Sequence, residues 1–368
     1  SPVLAASWET NADATRWIWH LQDGVRFHDG TPMTSRDVIY SVEHAMDPNL
    51  GGQMLDTLAF IDTEKFETPD DLTAVFNLKE AHVEVPLVLR HYSMRVIPYG
   101  SGDRIAETAE GTGAFILESF KIDGVTKVVA NDDYWKGAPL AGAVTIVGIS
   151  DADARVQAML ADQIDYLGGL SAGQVPLFEG PDFKLQETAS GSVMVMAIIV
   201  TEPPYDDNRV REAMKKVVDP EEFVQIVTQG HGVKACNNPV WPNDQYHLAL
   251  DCPQDIEGAK ALLAEAGYPD GITIEYRFSN KNPNWEPIAT VYQVQAAKAG
   301  ITVELDQAPS DTWWTESWMV HPFASSNWGN RVADQILSSA FLCGAPWGEN
   351  FWCNDEFDET LSKARTEV

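Results

Sequence analysis

The residues best suited to chemistry in this 368-residue chain lie in the segment Asn327-Trp328-Gly329-Asn330-Arg331-Val332-Ala333-Asp334. An arginine presents five donors in a rigid fork that matches a carboxylate or phosphate. Arg331 follows a turn at Gly329 in a chain with only 25 Lys and Arg side chains. Two roles are open to it: an anchor for an anionic group of a ligand, or a structural ion pair with Asp334 or another of the 55 acids. Asp334 could itself receive a ligand cation, so a zwitterionic ligand is compatible with this segment. The segment reads as a strand end leading into a long loop, which is where α/β sheets place their ligands.

Twelve tryptophans add large apolar faces with one polar edge, a combination that suits a ligand cleft. Trp8, Trp17, Trp19 and Trp135 sit in strand or turn patterns and are expected in the core. Trp313, Trp314 and Trp318 crowd a predicted helix, where the i, i+4 spacing puts Trp314 and Trp318 on one face. Trp313 and Trp314 are candidates to touch a ligand body. The eight histidines are scattered without H-E-x-x-H or H-x₃-H spacing, so no metal site is expected and no cofactor is implied. There is no G-x-S-x-G, no P-loop and no Rossmann glycine pattern. With 55 acids, pairs of carboxylates arise by coincidence, and no spacing singles out a glycosidase pair.

Four cysteines flank two turn-rich loops, Cys236 to Cys252 and Cys343 to Cys353. Three pairings are possible and the sequence does not choose among them. The local pairing is expected, because Asn237, Asn238, Pro239 and Pro242 fill one loop and Gly344, Pro346 and Gly348 the other. Closing such loops stabilises by about 2–4 kcal/mol each. Four buried free thiols are the alternative, and the spacings are too wide for a zinc site. Local disulfides imply an oxidising compartment.

The elements that must position these residues read as α/β with more than one sheet. Residues 17–29 alternate large apolar and polar side chains around Asp23-Gly24, a hairpin pattern. Thr34 opens a helix with Val38, Ile39, Val42 and Ala45 as its apolar stripe. Strands are predicted at 72–78 and 114–117, a helix at 151–160 and a short strand at 164–166. The run 192–200 is apolar on both faces, as in a strand buried in a mixed sheet. Helices follow at 208–217 and 255–266, the latter closed by Gly267 and Pro269. Strand 272–278, helix 288–299 and strand 301–305 complete a β-α-β unit. No repeat or low-complexity segment appears.

Composition sets the outer bounds. At about 150 residues per domain the length suggests two or three domains. A formal charge of −30 argues against nucleic acid and against an anionic membrane surface as partners. Forty-four per cent hydrophobic and 22% charged residues exclude wholesale disorder. No apolar run approaches the 18 or so residues that span a bilayer. The opening Ser1-Pro2-Val3-Leu4-Ala5 lacks the regions of a signal peptide, so the chain reads as a processed or trimmed product.

The order of motifs resembles a known family. Pro2-Val3-Leu4-Ala5-Ala6-Ser7-Trp8-Glu9, then Phe27-His28-Asp29-Gly30-Thr31-Pro32-Met33-Thr34 with Asp37-Val38, is similar to the large extracytoplasmic solute-binding proteins of peptide and nickel ABC importers. Gly111-Thr112-Gly113-Ala114-Phe115, Asn131 with Tyr134-Trp135, Arg209-Val210-Arg211-Glu212-Ala213 with Asp219, and Ala259 through Tyr268 continue the match in order. Ala299-Gly300-Ile301-Thr302-Val303 and Asn354-Asp355-Glu356-Phe357-Asp358 with Leu361 close it. Each motif is weak alone; together they run the length of the chain.

The resemblance implies a periplasmic binding protein-like α/β fold of the type II, large-cluster kind, with two hinged lobes and an additional small domain. Residues 1–112 would form that small domain, 113–200 an incomplete first lobe, and 201–368 a second lobe lacking its C-terminal part. It implies a non-enzymatic receptor, monomeric, in the periplasm or lipid-anchored outside the cell, which delivers a small-molecule ligand to an ABC permease. In peptide-binding relatives, an aspartate three residues after the Trp328 position pairs with the peptide's ammonium group. Here that position is Arg331, and the charge is reversed. The expected ligand is therefore anionic or zwitterionic: an opine-like conjugate, a modified amino acid or a substituted peptide. Its contacts are expected from Asn327, Trp328, Gly329, Arg331, Asp334, Trp313 and Trp314, with His91 and Tyr92 in the segment that faces the cleft in relatives. A di- or oligopeptide receptor, a nickel-type metal-chelate receptor and a secreted carbohydrate hydrolase are the alternatives.

Overall fold

A computed structural model of the chain describes residues 3–50, 54–55, 57–91, 93–102, 104–122, 124–188 and 190–367. They divide into two compact units, one of Ser1–Gly148 with Glu356–Val368, the other of Ile149–Asp355.

In the first unit β1 (Ala5–Thr10) pairs antiparallel with β2 (Arg16–Leu21), placing Trp8 opposite Trp19. Strict alternation along β2 sends Trp17, Trp19 and Leu21 into the core. Helix α1 (Ser35–Ala45) starts where the sequence predicts. Thr34 is its N-cap, and the Asp37 carboxylate accepts the Thr34 N–H at 2.7 Å to close a capping box. Strands β3 (Glu67–Asp70) and β4 (Thr73–Asn77) complete a sheet in the order β1-β2-β4-β3. Two one-turn helices follow, α2 (Val85–Val88) and α3 (Ile105–Thr108). A three-stranded antiparallel meander then runs β5 (Phe115–Ser119), β6 (Val125–Ala130), β7 (Ala143–Val147).

The hairpin expected over residues 17–29 is corrected. β2 lies between β1 and β4, and residues 25–33 make their own reversal, with Phe27 N–H donating to Thr31 O at 2.8 Å and Met33 N–H to Val25 O at 3.0 Å. The turn that decides this is Asp29-Gly30 and not Asp23-Gly24. The Asp29 carboxylate accepts from both the N–H and the hydroxyl of Thr31. Val25 and Phe27 can then join Trp17 and Trp19 in one core without pairing to β2.

The second unit opens with α4 (Ala152–Leu160), N-capped by Asp151. The short strand expected at 164–166 does not form: Ile164-Asp165-Tyr166 has no ladder partner, and Tyr166 is 85% exposed. Its alternation has no neighbouring strand to fix it. The unit continues with β8 (Val193–Ile198), α5 (Asn208–Lys216), α6 (Pro220–Val227), α7 (Ile256–Glu265), β9 (Ile272–Phe278), α8 (Trp285–Ala297), β10 (Ile301–Gln307), α9 (Trp313–Glu316), β11 (Phe323–Trp328) and α10 (Ala333–Ala340). A last helix, α11 (Asp355–Arg365), belongs from Glu356 onward to the first unit.

The sheet of the second unit is mixed, in the order β10-β9-β11-β8, with β9, β10 and β11 parallel and β8 antiparallel to β11. The predicted β-α-β unit is therefore present, with α8 as its crossover. Gly271 and Gly300, both at positive φ, bring the starts of β9 and β10 together; a Cβ on Gly271 would collide with the Gly300 carbonyl. One face of this sheet is covered by α5, α7 and α8 through a core that includes Tyr276, Trp285, Tyr292, Trp313 and Phe323. β8 is apolar on both faces because alternate residues serve two clusters. Val193 and Val195 meet the cluster around Trp328, whereas Met194 packs against the Val227–Ile288–Val291 cluster. Among the described residues, β8 pairs only with β11 and so lies at the sheet edge.

Candidate functional site

The site grows from the end of β11. Pairing with β8 sets Trp328 opposite Val193 and Asn327 opposite Met194, which buries the Trp328 ring and leaves Asn327 exposed. The ladder ends at Gly329, and the chain turns so that Arg331 folds back: its guanidinium donates to the Gly329 carbonyl at 3.2 Å. The guanidinium carbon lies 4.8 Å from the Trp328 ring centre and 5.4 Å from that of Trp347. Both distances are in the cation–π range. Arg331 is half-buried, so the cation is partly desolvated.

Asp334 lies in the first turn of α10, 6% exposed, and its carboxylate is 3.4 Å from the Ser338 hydroxyl. The neighbouring Ala333 N–H donates to Asp244 at 3.1 Å. That contact ties α10 to the 236–252 loop. The Cys236–Cys252 and Cys343–Cys353 disulfides are both formed, so the local pairing holds. Within the first loop His247 Nδ1 donates to the Val240 carbonyl at 2.7 Å, and Asn238 bonds both Val240 N–H and Leu248 O. Val240 joins Trp328 in one apolar cluster, and Gly191 lies beside both Trp241 and Asn330. A cavity of about 740 Å³ opens beside this loop. Its walls include Met194, Phe223, Trp241 and the Cys236–Cys252 disulfide, with Lys215 as one basic group and Lys234 and His231 as two more. Those two already face Glu221 at 2.9 Å and Glu187 at 3.0 Å.

Sequence reasoning missed Glu349 and Trp347. Glu349 is buried, and its two carboxylate oxygens each accept an indole N–H, from Trp328 at 2.8 Å and from Trp318 at 2.6 Å. Trp347 packs 5.9 Å from Trp328. Both residues belong to the disulfide-closed 343–353 loop. The cysteine spacing marked that loop, but nothing in the sequence paired it with β11.

The remaining candidates separate. Trp313 is fully buried against Trp285, ring centres 4.9 Å apart, and presents no face to solvent. Trp314 is 43% exposed, stands edge-on to Trp318 at 5.6 Å, and has the Lys281 ammonium 5.9 Å away. It adjoins the Trp318–Glu349–Trp328 row. His91 is in the first unit, 5% exposed, and its Nδ1 accepts the Ser93 N–H. Tyr92 lies outside the described residues. Trp17 and Trp19 are in the core, as expected, whereas Trp8 is 41% exposed.

Among the described residues the groups closest to a metal-ligand set are Glu275, Asp306 and His321, with ligand atoms within 4.8 Å of one another. They are already engaged, His321 with Glu275 and Arg277 with Asp306, each at 2.6 Å. This is the arrangement of one ion pair and one histidine–carboxylate hydrogen bond on a sheet surface.

The profile of the bacterial extracellular solute-binding proteins, family 5 Middle, matches residues 1–347. Heme-binding protein A of Haemophilus influenzae is 28% identical over 336 residues, which cover 82% of this chain and 60% of that protein. Di/tripeptide-binding protein 2 of Pseudomonas aeruginosa is 28% identical over 411 residues, 99% of this chain and 75% of that one. Among solved structures, the PBP AgaA in complex with agropinic acid, from A.tumefacien R10, superposes over the whole chain and 77% of its own length. Its TM-score is 0.82 at 25% identity. NikZ from Campylobacter jejuni, in complex with Ni(L-His), reaches a TM-score of 0.89 over 78% of its length; at 18% identity it supports the fold alone.

Proposed function

The chain belongs to the bacterial extracellular solute-binding proteins of family 5, and from that premise we propose that it captures a small carboxylated solute, anionic or zwitterionic, for an ABC importer. The observation that carries this reading is Arg331, half-buried and held against the Trp328 and Trp347 rings at the end of β11. A carboxylate meeting that fork gains charge-assisted hydrogen bonds in a partly desolvated setting. A peptide ammonium brought to the same place meets a like charge. The agropinic acid bound by AgaA supports the same class of ligand, an opine-like conjugate. A modified amino acid or a substituted peptide satisfies the same donors.

The mechanism follows from binding alone. The family is one of solute-binding proteins, and no bond need be made or broken. In the proposed scheme the solute contacts both lobes and stabilises a closed state by its differential affinity for it. The permease then recognises that state. A periplasmic or lipid-anchored extracellular site of action and a monomeric state are part of this proposal. No helix among the described residues is long and apolar enough to cross a membrane. A di- or tripeptide receptor is the second reading, favoured by the 99% coverage of this chain in its match to the Pseudomonas aeruginosa relative. In that case Asp334, in the first turn of α10, would serve a ligand cation.

The test is a thermal-shift screen of ligand-stripped protein with agropinic acid, other opines, di- and tripeptides, and nickel–histidine. A ligand at 100 times its dissociation constant stabilises by about 2.7 kcal/mol, which for lobes of this size is several degrees. The expected result is a shift with carboxylated conjugates that Arg331→Ala abolishes. A shift only with ordinary free-amino-terminal peptides, unaffected by that substitution, overturns the reading and leaves Arg331 structural.

A further inference from the structure

The carboxylate of Glu349 joins two tryptophans at the end of β11. An indole N–H can only donate, so an acceptor is the one polar partner that can hold the ring edge in place. The buried N–H groups of Trp17, Trp19, Trp285 and Trp313 make no protein hydrogen bond. Those of Trp318 and Trp328 converge on one buried carboxylate, at 2.6 and 2.8 Å. Burying a charged carboxylate is costly unless it is hydrogen-bonded, and here the two indoles supply those bonds. The loop that carries Glu349 also carries Trp347, the second ring under the Arg331 guanidinium, and Glu349 N–H donates to Trp347 O at 2.8 Å. The Cys343–Cys353 disulfide closes that loop.

We propose that Glu349 is the positioning residue of this site: by accepting from Trp318 and Trp328 at once, it fixes the indole platform on which Arg331 stands and so sets where the guanidinium fork points. The proposal rests on the carboxylate-binding reading for its effect on affinity, though not for its effect on the platform. Two physical consequences follow. The Trp328 ring cannot tilt without breaking a charge-assisted bond, so the underside of the guanidinium is preformed and less ordering is left to occur when solute arrives. Donation of the indole N–H to an anion also enriches the ring's π density, which strengthens its hold on the cation above. Trp314, exposed and edge-on to Trp318, is fastened to the same carboxylate through one intervening ring.

The experiment uses the full chain and the Glu349→Gln variant, which keeps the shape but faces one indole donor with an amide N–H₂. Nitrogen-15 spectra report the indole N–H groups and the Arg331 Nε–H, which ring currents from two indoles displace; calorimetry with agropinic acid as probe reports affinity. The expected result is that one indole signal loses its hydrogen-bond shift and the other, left on a neutral carbonyl, keeps a smaller one, while the Arg331 signal moves and affinity falls about tenfold with the fold intact. Trp318→Phe, which removes one donor and leaves Trp328 bonded, should shift the remaining Trp328 indole signal and the Arg331 signal and lower affinity by less than about tenfold, and decides the matter if Glu349→Gln fails to fold. Unmoved indole or Arg331 signals overturn the positioning role, as does an unchanged affinity. If the unaltered protein binds no carboxylated solute, the functional reading falls, and the Arg331 and indole signals alone judge Glu349.

Discussion

Whether the site depends on close fit can be asked at a single residue, Gly191. It adjoins β8 and has no side chain; a Cβ built there would sit 2.7 Å from Trp241 Cγ and against the Asn330 amide. The exposed Asn330 amide can swing aside, but the Trp241 ring cannot yield freely. Trp241 lies in the disulfide-closed 236–252 loop, and Asn330 is in the turn that delivers Arg331. Gly191→Ala should therefore cost about 1–3 kcal/mol, the usual penalty for inserting a methyl into a filled space, measured by denaturant unfolding. It should also weaken binding of a carboxylated solute by displacing the turn. A variant with unchanged stability and binding would mean that the 241 loop and the 330 turn move independently. Such convergence was not legible in the sequence. Gly191, Trp241, Asn330 and Glu349 are far apart along the chain, and only the β8–β11 register and two loop-closing disulfides bring their segments together. Arg331 and Trp328 could be singled out because both lie on one short turn whose chemistry is local.

The same contrast holds for elements. Helices with a cap and an apolar stripe, such as α1, α5 and α7, and the parallel pair β9 and β10 with their glycine-led starts, follow from local pattern because the deciding interactions lie within a few residues. The hairpin over 17–29 and the strand at 164–166 failed because alternation names a strand's faces, not its partner. α5 provides a test of a cap. Asp207, its N-cap, accepts from the Arg209 backbone N–H at 2.8 Å and pairs with the Arg209 guanidinium, which holds its carboxyl down at about 2. A folded value below the ordinary carboxylate value means that this contribution is present above about pH 4. It is lost as pH falls through the folded value, toward pH 2. Asp207→Asn keeps a capping oxygen and removes the charge. The variant should match the unaltered protein in acid and be slightly less stable near neutrality, because the pair lies at the surface and is well screened. Melting curves at pH 2.5, 4 and 7 check this. A deficit that persisted in acid would assign the role to the cap geometry instead of the ion pair.

At the scale of the whole molecule, 55 acids against 25 bases surround a site proposed to hold an anion. The formal charge of −30 repels a negatively charged solute at a distance, whereas Arg331 attracts it only at contact. Salt separates the two effects. Between about 0.01 M and about 1 M the Debye length shrinks from about 30 Å to about 3 Å, which removes the long-range repulsion first. The fold itself should gain, since self-repulsion of the compact state is screened, and its melting temperature should rise with salt. For a solute of net negative charge the association rate should rise in parallel, with a smaller change in dissociation as the half-buried Arg331 contact is screened less. For a zwitterion of zero net charge the association rate should stay nearly flat over the same range. Stopped-flow tryptophan fluorescence with agropinic acid and with a neutral zwitterionic conjugate measures both rates. An association rate that falls with salt for the anion would mean that the approach to the site is locally positive, with Arg331 joined by other cations; Lys281 beside the exposed Trp314 is the first to replace.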